Sequence, residues 1–179
     1  MTNRLKKAIE YATQKHKGQK RKGKNIDYIV HPLQVVEILS QNGADEETMI
    51  VGVLHDVVED TNTTLLEIEE CFGKEISTLV ASESEDKSKS YRERKKEHMD
   101  KLSIVPYKAK MVNCADKLSN ITDIIDDYNN QGDSLWQVFN GSKEDIKWYY
   151  GIAINALAEL EGVKMYSELK QKYEILKLL

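Results

Sequence analysis

Residues 49–61 read MIVGVLHDVVEDT, and this stretch decides the fold. Met49, Ile50, Val51, Val53 and Leu54, with Val57 and Val58 further on, are residues that a chain buries. Among them stand four ionisable side chains, His55, Asp56, Glu59 and Asp60. In a helix, residues three and four apart share a face, so His55 with Glu59, and Asp56 with Glu59 and Asp60, span one arc. Burying a charge without a partner costs several kcal/mol, so a cation or a donor is expected to face that arc.

The same helical spacing extends outward in both directions. Leu5, Ala8, Ile9 and Ala12 repeat it near the start, and Met111, Val112, Ala115, Leu118 and Ile121 repeat it later. The two prolines, Pro32 and Pro106, sit where helices begin, the position that tolerates a missing N–H. Thr64–Glu67 has the form of a capping box, Phe72-Gly73 supplies a stop, and Ser142–Asp145 marks another helix entry. These signals predict helices at about 3–17, 32–41, 45–60, 64–72, 74–82, 90–102, 105–127, 134–139, 142–161 and 163–177. No repeat and no Pro/Ser-rich linker divides the chain, so residues 1–179 are expected to form one all-α unit of about ten helices. The polar stretch 81–98 reads as a loop running into a charged helix.

Composition narrows the function. The 179 residues carry 26 Lys and Arg against 30 Asp and Glu, a net charge of −4, which argues against a general nucleic-acid or membrane-surface binder. Cys71 and Cys114 lie in apolar surroundings and form no CxxC pair, as expected of thiols in a reducing compartment. No apolar run reaches membrane-span length and MTNRLKKAIEYA lacks a signal-peptide core, so a cytoplasmic protein is expected.

One arc on one helix does not complete a metal site, and two other places offer ligands. Tyr28–Pro32 (YIVHP) sets His31 at the mouth of a helix, and Val112–Leu118 (VNCADKL) sets Asp116 inside an apolar one, with Asn120 a turn later. His31, His55, Asp56 and Asp116 would give two imidazoles and two carboxylates with room for water. That donor set suits Mn, Fe, Co or Zn better than Ca, and the lack of a nearby thiolate argues against a structural zinc site. Taken singly, each has a plainer reading: a lone His31 as a cap or a satisfied core histidine, a lone Asp116 as the partner of a lysine. Their shared setting in apolar helices is what favours a metal.

The order YIVHP, LHDVVEDT, NCADKLSN resembles the HD-domain metal phosphohydrolases, and among them the alarmone hydrolases: the hydrolase domain of the Rel/Spo proteins and the stand-alone small alarmone hydrolases. The resemblance runs from about residue 5 to 127. It implies a helical HD-domain bundle, with His31, His55, Asp56 and Asp116 as ligands of manganese. It implies that Glu59 and Asp60 position or activate the attacking water, that Arg21 and Lys22 contact a guanosine nucleotide, and that Asn120 contacts it too. The expected activity is removal of the 3′-pyrophosphate of guanosine tetra- or pentaphosphate, without a synthetase in the same chain. The alternative is the same chemistry on another phosphorylated nucleotide. A non-catalytic sensor is disfavoured because all four ligands and both acids are present.

Other residues fit this reading. KHKGQKRKGK (15–24) holds Lys15, Lys17, Lys20, Arg21, Lys22 and Lys24 with no acid, a local basic patch leading to His31. Lys15 and Lys24 read as solvated, whereas Arg21 can stack on a purine as well as pair with phosphate. A second basic set, Arg92, Arg94, Lys95 and Lys96, would reach distal phosphates if its helix folded over the site. Tyr28, Tyr149 and Tyr150 read first as core residues and second as pocket lining. His16 and His98 read as surface residues, and the helices after 134 as packing elements or as a closure of the pocket.

Overall fold

The computed structural model describes residues 2–82 and 88–179, and among these it contains α-helices, two 3-10 segments and no strand. Thr2 caps α1 (Asn3–Lys15), whose buried stripe is Leu5, Ala8 and Ala12. A tight loop follows, pinned by the isolated bridge between Lys20 and Asp27, with Arg21 N–H donating to Ile26 O at 2.9 Å and Tyr28 N–H to Gln19 O at 3.0 Å. This loop carries the basic patch and delivers the chain to α2 (Val30–Gln41).

Asp45 caps α3 (Glu46–Leu54), and the short α4 (Val57–Asp60) comes next. The single helix expected over 45–60 is therefore broken at His55-Asp56. The cause is local: His55 Nδ1 donates to Gly52 O at 2.8 Å, the acceptor that the Asp56 amide would use in a continuing helix. Gly52 itself sits where α3 crosses α2, and a Cβ there would come within 2.5 Å of Leu39 Cδ1.

The Thr64/Glu67 capping box opens α5 (Leu65–Phe72), and α6 (Lys74–Ala81) starts at Gly73, whose φ of 97° favours glycine. Of the stretch 81–98, residues 83–87 lie outside the described residues; a Ser90/Glu93 capping box then opens α7 (Tyr91–Leu102). The longest helix, α8 (Tyr107–Gln131), begins after Pro106 and outruns its expected end at 127. A 3-10 segment (Gly132–Val138) leads to α9 (Lys143–Ala156), which the Ser142/Asp145 box caps. A second 3-10 segment (Ala158–Leu160) ends the helix expected to reach 161, and α10 (Lys164–Leu178) closes the chain.

α8 is the axis of the bundle: α10, α2 and α3 pack on it, α1 packs on α3, and α7 packs on α9. Leu39, Ile50, Leu54, Ile68, Ile76, Ile121, Leu157 and Met165 are among the side chains sealed in the core. At about 25 cal/mol per Å² of apolar area removed from water, each such side chain contributes roughly 2 kcal/mol. This core fixes α2, α3 and α8 relative to one another, and the polar residues on their ends inherit that fixed geometry. No helix among the described residues is long and apolar enough to cross a membrane.

Candidate functional site

Where α2, the α3–α4 break and the middle of α8 meet, four acid and imidazole groups converge. His31, in the first turn of α2, is 1% exposed, and its Nε2 lies 3.0 Å from Asp116 Oδ1 and 3.7 Å from Asp56 Oδ2. Its Nδ1 is 3.1 Å from Ser119 Oγ. His55 stands at the break, with Nε2 2.9 Å from Asp56 Oδ2 and 3.6 Å from Asp116 Oδ1. Donor atoms of His31, His55 and Asp116 all lie within 4.8 Å of one another, the reach of one metal ion, and Asp56 Oδ2 borders the same space.

The chemistry of the donors fits a cation. His55 Nδ1 faces a carbonyl, so it carries the proton, and in a neutral ring Nε2 then offers only a lone pair. That lone pair is buried, makes no hydrogen bond and points at two carboxylates. Electron-rich atoms held together in this way require a proton or a metal ion between them. The electrostatics state the same thing: burial works against charge on His55, yet Asp56 and Asp116 hold its pKa well above the ordinary value. Burial also works against the charges on both acids; the histidines hold Asp56 down, and Lys117 with the histidines holds Asp116 well down. For His31 burial wins, and its pKa falls.

A second ring of residues orients these donors. Tyr28 Oη donates to Asp56 Oδ2 at 2.6 Å, and burial beside that anion raises the phenol pKa so that it remains a donor. Asp116 is held at both oxygens: Asn120 Nδ2 donates to Oδ1 at 2.6 Å and Lys117 Nζ to Oδ2 at 2.8 Å. Asn120 Oδ1 in turn accepts from Arg21 at 2.8 Å, and Arg21 also pairs with Asp123 at 2.8 Å while its guanidinium lies 5.8 Å from the Tyr28 ring centroid.

All of these residues open on one cavity of about 590 Å³. Every expected site residue lines it: Arg21, Lys22, His31, His55, Asp56, Glu59, Asp60, Asp116 and Asn120. The HD-domain family pattern matches residues 8–146. The chain belongs to the HD-domain family. Two relatives of this HD-domain chain are named guanosine-3′,5′-bis(diphosphate) 3′-pyrophosphohydrolase MESH1. The Xenopus tropicalis protein is 42% identical over 120 residues, 65% of this chain and 67% of its own length. The Mus musculus protein is 33% identical over 175 residues, 95% of this chain and 93% of its own. Among solved structures, a metazoan ortholog of SpoT that hydrolyses ppGpp superposes with a TM-score of 0.81 at 27% identity, over 100% of this chain and 98% of that one.

Several readings of the HD chain's sequence need correction. His16 and His98 are buried, at 2% and 4% exposure, not on the surface. His16 packs 4.8 Å from the Tyr28 ring and reaches Gln19 Oε1 at 2.7 Å, and His98 lies on the cavity face of α7. Their charged neighbours in sequence point elsewhere, which a one-dimensional reading does not register. Lys24 is no solvated loop residue either: it lines the cavity and pairs with Asp127 at 2.9 Å. Lys15, read as solvated, pairs with Glu67. Tyr149 and Tyr150 satisfy both readings, being buried in the core and lining the cavity, whereas Tyr28 is half-buried and meets only the second, as pocket lining. Of the second basic set, Arg94 and Lys95 line it, while Arg92 and Lys96 do not. Asp123, Asp127 and Lys117 were missed. Asp116, Asn120, Asp123 and Asp127 recur every three to four residues along one face of α8, and that polar stripe was the available signal.

Proposed function

We propose that the chain is a metal-dependent 3′-pyrophosphohydrolase of guanosine tetra- and pentaphosphate, releasing pyrophosphate and, respectively, GDP or GTP. The observation that carries this reading is the convergence of nine residues, from four separated segments, on one cavity that also holds the unsatisfied His55 Nε2. The relatives' names supply the substrate. We assign His31, His55, Asp56 and Asp116 as the ligands, manganese as the metal, residues 1–179 as one unit, and the cytoplasm as the location.

A divalent cation held there supplies Lewis-acid chemistry: it acidifies water and offsets the charge that builds on a phosphoryl group. Glu59, in α4 just past the break at His55-Asp56, stands on the cavity wall and is assigned as the base that takes the proton of the attacking water. Asp60, whose backbone carbonyl accepts from Gln19 Nε2 at 2.7 Å, orients that water. The water oxygen bonds to the phosphorus on the 3′ oxygen, the bond from that phosphorus to the 3′ oxygen breaks, and the ribose oxygen takes up a proton. Arg21 and Lys22 face the anion, and Asn120, already tied to Arg21, faces the nucleoside. The lining carries six lysines and arginines against six aspartates and glutamates, so a bound divalent cation is what makes the cavity net positive toward a polyanion.

The test is pyrophosphate release from guanosine 3′-diphosphate 5′-diphosphate with Mn²⁺, with chelator, and with Asp56→Ala. Release should vanish with chelator and fall about a thousandfold in the variant. A wild-type protein that binds manganese and releases nothing would redirect the assignment to another phosphorylated nucleotide.

A further inference from the structure

The four basic residues near the start of α7 part ways in the fold. Arg92 turns toward α9, where it pairs with Asp145 and lies 5.1 Å from the Trp148 ring centroid. Lys96 is exposed and pairs with Asp100. Arg94 and Lys95 are half-buried and line the cavity. Lys95 Nζ lies 4.6 Å from the centroid of the Tyr149 ring, and Lys117 Nζ lies 5.6 Å from the same centroid.

Lys117 is the link back to the metal centre. Two chains of contact leave Asp116, one from each oxygen. Oδ1 takes Asn120 and leads to Arg21; Oδ2 takes Lys117 and leads to Tyr149 and Lys95. The cavity that holds the converging imidazoles and carboxylates thus takes cations from two elements, the 20–28 loop and α7. The cavity, at about 590 Å³, is large enough for a ligand that spans both.

We propose that Arg94 and Lys95 form a second anion subsite, which holds the distal phosphate of a pyrophosphoryl group whose proximal phosphorus lies at the His31–His55–Asp56–Asp116 centre. This rests on the phosphohydrolase reading above and adds to it a means of choosing between phosphate chains. A guanidinium pairs with phosphate oxygens two at a time, and an ammonium beside it acts as a point charge. Aromatic faces back both cations: Tyr91 lies 5.2 Å from the Arg94 guanidinium, and Tyr149 backs Lys95. Side chains held in this way lose less freedom when an anion arrives. An ester with one phosphate fills the metal centre and brings no second phosphate to the α7 wall, so the chain discriminates a 3′-diphosphate from a 3′-monophosphate at this wall.

The experiment is calorimetric titration of the manganese-loaded protein with inorganic pyrophosphate and, separately, with orthophosphate. Three proteins are compared: wild type, Arg94→Met/Lys95→Met, and Lys96→Met/Lys101→Met, which removes the same charge from the exposed side of α7. The Arg94/Lys95 pair should lose about tenfold or more in pyrophosphate affinity, with orthophosphate and manganese affinity changed less than about threefold. The Lys96/Lys101 pair should keep all three affinities within about threefold. Unchanged pyrophosphate binding in the first pair, an equal loss in the second, or an equal loss for both anions would each overturn the proposal. Should the double substitution unfold the protein, Arg94→Gln and Lys95→Gln singly carry the same comparison, each expected to lose about threefold for pyrophosphate alone. Failure of the wild type to hydrolyse guanosine tetraphosphate would count against the proposed function and leave this binding comparison readable.

Discussion

The half of the cavity built by residues 20–60 and 113–127 and the half built by α7 and α9 hold their charges by different means. In the first half the contacts that join separate elements are far apart in sequence, Arg21 with Asn120 and Asp123, Tyr28 with Asp56, His31 with Asp116, and they tie in local ones such as Lys117 and Asn120 on Asp116. In the second half many are close neighbours: Ser90 with Glu93, Lys96 with Asp100, Ser142 with Asp145, and Arg94 and Lys95 against the Tyr91 ring. A network of distant partners exists only in the folded chain, and each member depends on the rest. A wall of locally stabilised helices can lose one contact and keep its shape. The first arrangement suits a metal centre, which demands fixed geometry, and the second suits a surface that receives a flexible phosphate chain.

The sharpest test of that contrast lies at the seam, where the two halves share Lys117. Its ammonium is buried at 6% side-chain exposure between Asp116, Asn113 and the Tyr149 ring. Removing one partner of a buried pair leaves the other charge uncompensated, a loss of about 3–5 kcal/mol. Lys117→Met should therefore lower the urea unfolding free energy of the metal-free protein by about that amount. A loss under about 1 kcal/mol would mean that the halves are not coupled through this residue.

The contrast also accounts for what the sequence made legible. Helix periodicity and caps are short-range, so Thr64–Glu67, Phe72-Gly73 and Ser142–Asp145 could be read where they stand, and each forms as expected. The segments that carry His31, His55, Asp56 and Asp116 stood out as candidates for a similar reason: a histidine or aspartate set into an apolar helix is conspicuous whichever way the chain turns. The break at His55-Asp56 was not, because it depends on a side chain taking a backbone acceptor. Nor was the burial of His16 and His98, since it depends on which elements cover them. His16 disappears under Tyr28, a residue that only the loop closed by Lys20 and Asp27 brings back to α1. The choice between Arg94 and Arg92 was likewise invisible, because a half-turn on α7 separates cavity from solvent and nothing in YRERKKEH says which face is which.

A middle-sized effect should follow from Tyr28→Phe, which strikes the distant-partner half alone. The substitution keeps the ring that backs Arg21 and packs on His16, and deletes only the hydroxyl that donates to Asp56. Loss of an orienting hydrogen bond to a metal ligand costs about tenfold to a hundredfold in metal affinity. Manganese titration should show a loss in that range, while the unfolding free energy without metal falls by no more than about 1.5 kcal/mol. If the variant binds manganese like the wild type, Asp56 is oriented by backbone and packing, and the network claim for this half is weakened.

The smallest effect belongs to the other half. Ser142 Oγ accepts from the Asp145 amide while the Asp145 carboxylate accepts from Ser142, a closed local box at the head of α9. Ser142→Ala should lower stability by about 1 kcal/mol, the usual cost of an N-cap serine. It should leave manganese affinity unchanged, because Tyr149, seven residues on, is fixed by its packing in the core and not by the first turn of the helix. The two readouts must separate for the comparison to hold. If this exposed cap also shifted metal affinity, α9 would be part of the same interdependent network as the metal centre, and the cavity would have one manner of construction, not two.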